Sequence, residues 1–502
     1  MTLSKVAFFE HGVVASEQPL ASLAGSEVLR RGGNAFDAAL ATSFALAVTF
    51  HPAGGLGGDF FAMVHEAKSG RVHCLNASGW APSGLSVDLL KAKGNSEVPL
   101  FGPFSVVVPG FVAGITALHK RFGKVGLRGL LSPAISYSKR GFPAGEGICR
   151  SVAGTYDTLS AEARRVFAPE GRPPSPGDWI RQENLGKVIE DISRGGAAAF
   201  YKGPPADKIS EKLTALGVQT KRRDFDFKPE WVEPLTLNYN GTTVYEVPPN
   251  SMGATTLLML KYLSKNDLRK TGPLSRERIA LTMEAAAFAY GRRDELLGDP
   301  RFGRVDMANF MRISSGPKAP PQGKLRDGDT TAFSVVDKDG NVVSAIQSLF
   351  HHFGSKVFVE DCGIMLSNRG AGFRMSGPNK LEPRKRPLHT LSALLMDCGD
   401  GPTLAIGTSG GEYRPFQHTL FVTNIVDYSM SLEHSIDHPR FLWSGERSLI
   451  AEAGYEPLAH SRYDVENLPH PGRTGACQAV EMLPKARKGV CDVRGDGFPT
   501  GY

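Results

Sequence analysis

The sequence lacks metal-binding cysteine patterns and long apolar runs, and each absence excludes a class of protein. Its six cysteines show no CxxC spacing and no nearby histidine pair, so a metal site is not expected. No stretch of about 20 apolar residues is present, so a membrane-spanning helix is not expected either. Residues 1–18 lack the apolar core of a signal peptide, and we therefore expect neither a leader nor a membrane anchor.

The chain also lacks a strong excess of one charge. It has 58 Lys and Arg against 51 Asp and Glu, a net charge of +7 spread over 502 residues. The basic clusters at residues 221–223 and 384–386 are short and far apart, which is typical of a solvated surface and not of a nucleic-acid interface. A mildly basic protein can still favour an anionic substrate.

Cofactor motifs are missing as well. The glycine-rich segment at residues 51–64 has no Lys-Ser/Thr pair, and a predicted strand follows it where a phosphate loop needs the start of a helix. We therefore expect no nucleotide, and we disfavour an oxidoreductase or a nucleotide-dependent enzyme. No cofactor of any kind is predicted.

What is present is the composition of a globular protein with many turns. Hydrophobic residues make up 41% and charged residues 22%, and a chain of this length usually forms more than one domain. Two helices are predicted near the start, over residues 19–31 and 35–48. Asn34 and Asp37 form a capping pair for the second helix, which is apolar nearly all round and should be buried.

The segment 328–356 has the pattern of a β-hairpin. Two apolar runs flank a turn at residues 337–341, in which Gly340 supplies the positive φ. The hairpin would place Thr330 at the mouth of one strand and bring Ser348 back to the same end. Two hydroxyls at one end of a sheet are consistent with a nucleophile site, but the local pattern alone favours an ordinary hairpin that carries surface threonines.

This same stretch, DTTAFSVVDKDGNVVSAIQSLFHHFGS, resembles the segment that opens the small subunit of γ-glutamyltransferases, and GGNAFDAALATSFALAV resembles their opening helix. Those proteins are N-terminal-nucleophile hydrolases, made as proenzymes that cut themselves before a threonine. The resemblance implies a cut between Asp329 and Thr330. It implies fragments 1–329 and 330–502, which together form one four-layer αββα sandwich of the α+β class.

The resemblance also assigns catalytic roles. Thr330 is the expected nucleophile, with Thr331 as its rival, and its new α-amino group would be the base. Ser348 lies where the family has a threonine that hydrogen-bonds the nucleophile. The backbone N–H groups of Gly410 and Gly411 lie in a segment that resembles the family's oxyanion turn, and would hold the negative charge that develops on the substrate.

The substrate-binding positions depart from the family. Ser78 stands where γ-glutamyltransferases have an arginine for the α-carboxylate, and Gly372 stands where they have an acidic residue for the α-amino group. Two paired serines of the family are replaced by His389 and Thr390, which retain hydrogen-bonding ability. The candidates for a replacement anion contact are His389, Arg369 and Arg414.

We therefore expect a self-processing threonine-nucleophile amide hydrolase or acyltransferase of the glutathione-hydrolase type, acting on γ-glutamyl or related acyl amides. One alternative is an acylase of the same family with glutaryl-type or small-amide specificity. Another is an unprocessed, non-catalytic binding homologue, in which Thr330 would be inert. Expected partners are a small-molecule amide and the chain's own two fragments, with a homodimer left open, and no nucleic acid or membrane. Secreted and membrane-anchored relatives carry an N-terminal segment, so a cytoplasmic location and a role in glutathione metabolism are the expectation here.

Overall fold

The computed structural model describes residues 3–313, 325, 328–399, 401–445, 447–456 and 463–502. The sequence predicts a flexible linker over residues 301–329, and its residues 314–324 and 326–327 lie outside the described residues. Among the described helices, none is both long enough and apolar enough to cross a membrane. All six cysteines are free thiols, of which Cys398 is exposed.

The helices are α1 (Pro19–Arg30), α2 (Ala35–Thr49), α3 (Val87–Ala92), α4 (Phe111–Phe122), α5 (Leu127–Arg140), α6 (Glu146–Thr155), α7 (Ala161–Phe167), α8 (Glu183–Gly195), α9 (Ala197–Tyr201), α10 (Pro204–Ala215), α11 (Gly253–Leu263), α12 (Arg276–Leu296), α13 (Met307–Phe310), α14 (Arg414–Val426) and α15 (Leu432–Asp437).

The strands are β1 (Lys5–Phe9), β2 (Val13–Ser16), β3 (Asp59–Glu66), β4 (Arg71–Ala77), β5 (Phe142–Pro143), β6 (Trp179–Ile180), β7 (Glu230–Val232), β8 (Leu235–Tyr239), β9 (Thr242–Glu246), β10 (Asp329–Val336), β11 (Val342–Phe350), β12 (Phe358–Val359), β13 (Ile364–Met365), β14 (Leu394–Asp397), β15 (Pro402–Thr408), β16 (Phe441–Gly445), β17 (Ser448–Glu452), β18 (Asp464–Leu468), β19 (Cys477–Leu483), β20 (Ala486–Cys491) and β21 (Thr500–Gly501).

Two seven-stranded sheets form the centre of the fold. The first has the order β1-β20-β19-β15-β14-β9-β8 and the second β21-β2-β10-β11-β3-β4-β7, with every neighbouring pair antiparallel. Their facing side chains, such as Ala332 and Ile346 of the second sheet and Ala405 and Val480 of the first, form one buried cluster. Both sheets contain strands from before and after residue 330.

Helices cover the outer faces of both sheets. All 15 residues of α2 are buried, because this helix packs between β10 and β11 on one side and α1, α4 and α5 on the other. On the opposite face of the molecule, α11 and α14 pack on the first sheet. The layers therefore follow the order α, β, β, α, and the predicted α+β sandwich is confirmed.

The start of α2 is fixed by the predicted capping pair. The side chain of Asn34 accepts hydrogen bonds from the N–H groups of Phe36 and Asp37, while the Asp37 carboxylate accepts from the N–H of Asn34. This reciprocal arrangement satisfies N–H groups that the first helical turn leaves without partners.

The hairpin of β10 and β11 turns at residues 337–341 as the sequence predicts, with Gly340 at φ +87°. The buried Asp337 carboxylate accepts hydrogen bonds from the N–H groups of Asp339 and Asn341, from the Asn341 side chain, and from the N–H of Ala35 at the start of α2. One carboxylate thus closes the turn and also fixes it to the helix that covers β10.

Asp337→Asn should lower the free energy of unfolding by about 2–4 kcal/mol, because the amide presents an N–H group to N–H donors that a carboxylate oxygen now satisfies. Asp339→Asn in the same turn is the matched control, since Asp339 is half exposed and only pairs with Lys124 at 3.6 Å. Its effect should stay within about 0.5 kcal/mol. Urea unfolding of both variants measures this, and equal losses would contradict the role assigned to Asp337.

Candidate active site

The register of β10 and β11 places Thr330 opposite Ser348. Thr331 pairs with Gln347, and a register shift between Asp329 and Thr331 brings Asp329 opposite Phe350. The residue before Thr331, Thr330, faces Ser348 and contacts its hydroxyl. Side chains alternate between the two faces of a strand, and even-numbered residues of β10 such as Ala332 point between the two sheets. Thr330 and Ser348 therefore lie on the inner face of their sheet, where they are 2% and 1% exposed.

The Ser348 hydroxyl joins the two groups that self-cleavage would bring together. It donates a hydrogen bond of 2.8 Å to the carbonyl oxygen of Asp329 and accepts one of 3.2 Å from the Thr330 hydroxyl. The N–H of Phe350 also donates to it, at 2.7 Å. Ser348 thus hydrogen-bonds both the carbonyl of the Asp329–Thr330 bond and the Thr330 hydroxyl, an arrangement that can polarise that carbonyl.

His352, two residues after the end of β11, contacts both carboxylate oxygens of Asp329. The imidazole Nε2 of His352 lies 2.9 Å from one carboxylate oxygen of Asp329, and the backbone N–H of His352 donates to the other at 3.0 Å. Nε2 also lies 3.1 Å from the Ser151 hydroxyl. The side chain before the predicted cut is therefore fixed at both oxygens.

The rival nucleophile Thr331 lies on the opposite face of β10. Its hydroxyl is buried and makes no hydrogen bond of normal geometry within the described residues. The nearby carboxyl of Glu17 is also buried, and burial together with Asp496 and Asp329 raises its pKa well above the usual range. Thr331 therefore faces Glu17 and does not share the contact of Thr330 with Ser348.

Gly410 and Gly411 border the predicted cleavage site. Their φ angles of +132° and +52° are costly for other residues, and a β-carbon on Gly410 would lie 2.6 Å from the side chain of Gln417. A β-carbon built on Gly328 would lie 3.1 Å from Cα of Gly411, so the chain before the cut touches this turn. The glycine turn therefore borders the peptide bond that the predicted cut would break.

Of the predicted substrate-binding residues, Ser78 and His389 are sealed inside the protein. His389 Nε2 lies 2.9 Å from a carboxylate oxygen of Asp59, while its Nδ1 accepts from the N–H of Leu391. Asn250 donates to the Ser78 hydroxyl at 3.0 Å. Burial, together with a nearby arginine, lowers the pKa of His389 to about 3, so a neutral imidazole donates to Asp59.

The other three predicted residues, Arg369, Gly372 and Thr390, line one small cavity of about 30 Å³. Phe350 and Glu412 also line it, so the cavity lies beside the strand partner of Asp329 and beside the Gly410–Gly411 turn. The Thr390 hydroxyl has no hydrogen-bond partner in the described part of the chain. These three predicted positions therefore line one cavity, which Ser78 and His389 do not line.

Arg414, the third candidate for an anion contact, is committed to the backbone. Its Nε donates to the carbonyl of Thr408 at 2.9 Å, and its Nη1 donates to the carbonyl of Thr390. Burial and the charge of Arg369 lower its pKa to about 9. Because Thr408 ends β15 just before the glycine turn, Arg414 holds that turn against the segment that contains Thr390.

A larger cavity of about 390 Å³ lies on the other side of the cleavage site, lined among others by Glu17, Asp329, His352 and Gly410. The sequence predicts no role for Glu17, His352 or Asp59. A signal exists for two of them, since Asp59 directly follows the last glycine of the segment 51–64 and His352 lies four residues after Ser348. Glu17 carries no local signal, because only folding brings β2 beside β10.

Comparison with known proteins agrees with this architecture. The family model for Gamma-glutamyltranspeptidase matches residues 21–502. The chain is 36% identical to the Glutathione hydrolase-like YwrD proenzyme of Bacillus subtilis (strain 168), over 97% of this chain and 98% of that protein. It is 29% identical to the Oxamate amidohydrolase proenzyme of Klebsiella pneumoniae, over 98% of each.

A solved structure shares both the fold and much of the sequence. The cephalosporin acylase from Bacillus halodurans superposes with a TM-score of 0.91 at 30% identity, covering 99% of this chain and 97% of that one. The match therefore extends over both sheets and both helical layers. From the family model, the full-length relatives and this structure together, the chain belongs to the gamma-glutamyltranspeptidase family of N-terminal-nucleophile hydrolases.

Proposed function

We propose that the chain is a self-processing threonine-nucleophile amide hydrolase or acyltransferase that cleaves γ-glutamyl or related acyl amides through an acyl-enzyme. The observation that carries this proposal is the Ser348 hydroxyl, which bridges the Thr330 hydroxyl and the Asp329 carbonyl oxygen. An ordinary hairpin with surface threonines would not bury both hydroxyls beside a peptide carbonyl.

Self-cleavage proceeds by an N→O acyl shift. Oγ of Thr330 attacks the carbonyl carbon of Asp329, and the carbonyl oxygen becomes negative while it accepts from Ser348. The C–N bond to Thr330 then breaks, the nitrogen takes up the proton, and an ester joins Asp329 to the threonine oxygen. Water hydrolyses the ester, which leaves a carboxylate at Asp329 and a free α-amino group at Thr330.

The mature site uses the same oxygen on an amide substrate. The new α-amino group of Thr330 titrates near pH ~8, so a useful neutral fraction can accept the hydroxyl proton at physiological pH. The N–H groups of Gly410 and Gly411 stabilise the oxyanion. The amine leaves with a proton, and water or an acceptor amine releases the acyl group from Thr330.

A second candidate function is that of an acylase of the same family with non-γ-glutamyl specificity. The residues at the two substrate-binding positions Ser78 and Gly372 favour it. Ser78 is sealed by Asn250, and Gly372 offers no carboxylate to an α-amino group. Each lost charged contact would cost γ-glutamyl recognition about 1.5–3 kcal/mol. Relatives named for oxamate and for cephalosporin support a wider range of acyl groups.

Thr330→Val should leave a single chain of 54.0 kDa, whereas the unchanged protein should separate under denaturing conditions into fragments 1–329 and 330–502. Intact mass spectrometry with N-terminal sequencing of the smaller fragment measures this. Thr331→Val is the matched control, since it removes the neighbouring hydroxyl from the other face of β10 and should still be cut. A cut before residue 330 in Thr330→Val, or an uncut wild-type chain, would contradict the proposal and favour the non-catalytic homologue.

Ser348→Ala should slow self-cleavage about 10²-fold, because it removes the donor to the Asp329 carbonyl and the acceptor for the Thr330 proton. Ser344→Ala is the control on the same strand. Its hydroxyl is equally buried but donates to the carbonyl of Ile406 across the sheets. A time course of fragment appearance after synthesis compares the two, and equal rates would remove Ser348 from the mechanism.

A further inference from the structure

His352 connects the residue before the predicted cut to helix α6. Its imidazole Nε2 lies 2.9 Å from one carboxylate oxygen of Asp329 and 3.1 Å from the hydroxyl of Ser151 on α6. Its backbone N–H donates to the other Asp329 oxygen at 3.0 Å. Asp329 and Ser151 belong to the predicted fragment 1–329 and His352 to the fragment 330–502, so these contacts are made across the two fragments.

The hydrogen bonds of Ser151 show which ring nitrogen of His352 carries a hydrogen. The Ser151 hydroxyl donates to the carbonyl of Gly147 at 2.7 Å, so its oxygen is an acceptor toward the imidazole. The carboxylate of Asp329 is an acceptor as well. Both groups therefore face an N–H at Nε2, and His352 donates to Asp329 whether its ring is neutral or protonated.

The backbone on both sides of the imidazole is held in place. The N–H of Phe353 donates to the carbonyl of Pro52 at 2.7 Å, and the side-chain nitrogen of Lys356 donates to the carbonyl of His352 at 2.6 Å. Phe353 and Lys356 have φ angles of +57° and +64°, which residues with side chains rarely adopt. The turn after β11 thus gives His352 a defined position relative to Asp329.

Two separate contacts restrict the orientation of the Asp329–Thr330 peptide bond. The Ser348 hydroxyl donates to the carbonyl oxygen of Asp329 at 2.8 Å, and His352 holds the side chain of the same residue. With both groups held, rotation about the Cα–C bond of Asp329 is limited, so the carbonyl keeps one orientation relative to the Thr330 hydroxyl. Attack requires aligned atoms, and a small misplacement lowers the rate.

The charge of Asp329 is a second reason for this contact. During the acyl shift a negative charge develops on the Asp329 carbonyl oxygen, close to the carboxylate of the same residue, and like charges repel. The two N–H groups of His352 offset the carboxylate charge. The side chains of Asp329 and His352 are 38% and 31% exposed, because both line the cavity of about 390 Å³. Water therefore screens part of the interaction, and the expected effect is moderate.

We propose that His352 is a positioning residue for self-cleavage, which acts through the Asp329 carboxylate and is neither nucleophile nor base. The rate of the cut then depends on the side chain at position 329 as well as on the hydroxyls of Thr330 and Ser348. This inference rests on the proposed function, because it takes the Asp329–Thr330 bond as the bond that breaks.

The test measures how fast the two fragments appear after synthesis. His352→Ala should slow the cut about tenfold, the value of one partly solvated contact to a charged group. His352→Gln should stay within about threefold of the unchanged protein, because its amide N–H can reach the same carboxylate oxygen. His351→Ala is the matched control and should also stay within about threefold, since the Nδ1 of His351 lies 3.0 Å from the side chain of Asn368.

A double-mutant cycle separates an action through Asp329 from a general loss of structure. Asp329→Ala should slow the cut about as much as His352→Ala, and the combined variant should be no slower than Asp329→Ala alone. Multiplied effects in the combined variant, or His352→Gln as slow as His352→Ala, would overturn the inference. A wild-type rate in Asp329→Ala would overturn it too, even if His352→Ala does not fold.

The same time course distinguishes failure of this inference from failure of the proposed function. A wild-type chain cut before Thr330, together with His352→Ala cut at the same rate, refutes only the role of His352. A wild-type chain that stays intact refutes the proposed function, and the positioning role with it.

Discussion

The candidate site depends on the register between β10 and β11. Thr330 and Ser348 meet because they are cross-strand neighbours on the inner face of the second sheet, and β10 cannot slip, since it is paired with β2 on its other edge. A shift of one residue would turn Thr331 inward instead. Asp337 fixes the turn of the same hairpin to α2, so the positions of the hydroxyls are set by backbone pairing and by a buried carboxylate far from the chemistry.

The two halves of the site follow different physical rules. Around Thr330, the Ser348 hydroxyl joins the Thr330 hydroxyl to the Asp329 carbonyl through hydrogen bonds within one hairpin. Around the sealed Ser78, a network of Asn250, Asp59 and His389 satisfies its own polar groups internally and has no need of a ligand. A buried polar network of this kind is stable only when its members are paired. Arg369 lies near this network over the ring of Phe350, and the negative charges of Asp59 and Glu412 favour its charged form.

The sequence predicts what local chemistry determines. The hairpin with Gly340, the cap at Asn34 and the glycine turn at residues 410–411 depend on neighbours within a few positions, and all three are present in the structure. The contact of His389 with Asp59 joins residues 330 positions apart, and no periodicity records such a pair. The sequence therefore predicts His389 as a substrate-binding residue, while both of its ring nitrogens form hydrogen bonds inside the core.

Cleavage of the Asp329–Thr330 peptide bond would affect both the proposed catalytic base and the surroundings of Gly328. In the intact chain the future base is an amide nitrogen, which cannot accept a proton from Thr330. The same intact chain fills the gap between Gly411 and Phe350, where only a residue without a side chain fits easily. Cleavage before Thr330 would thus create the α-amino base and free Gly328 from its covalent link to the nucleophile strand. An uncut chain would lack that base and would keep Gly328 between Gly411 and Phe350.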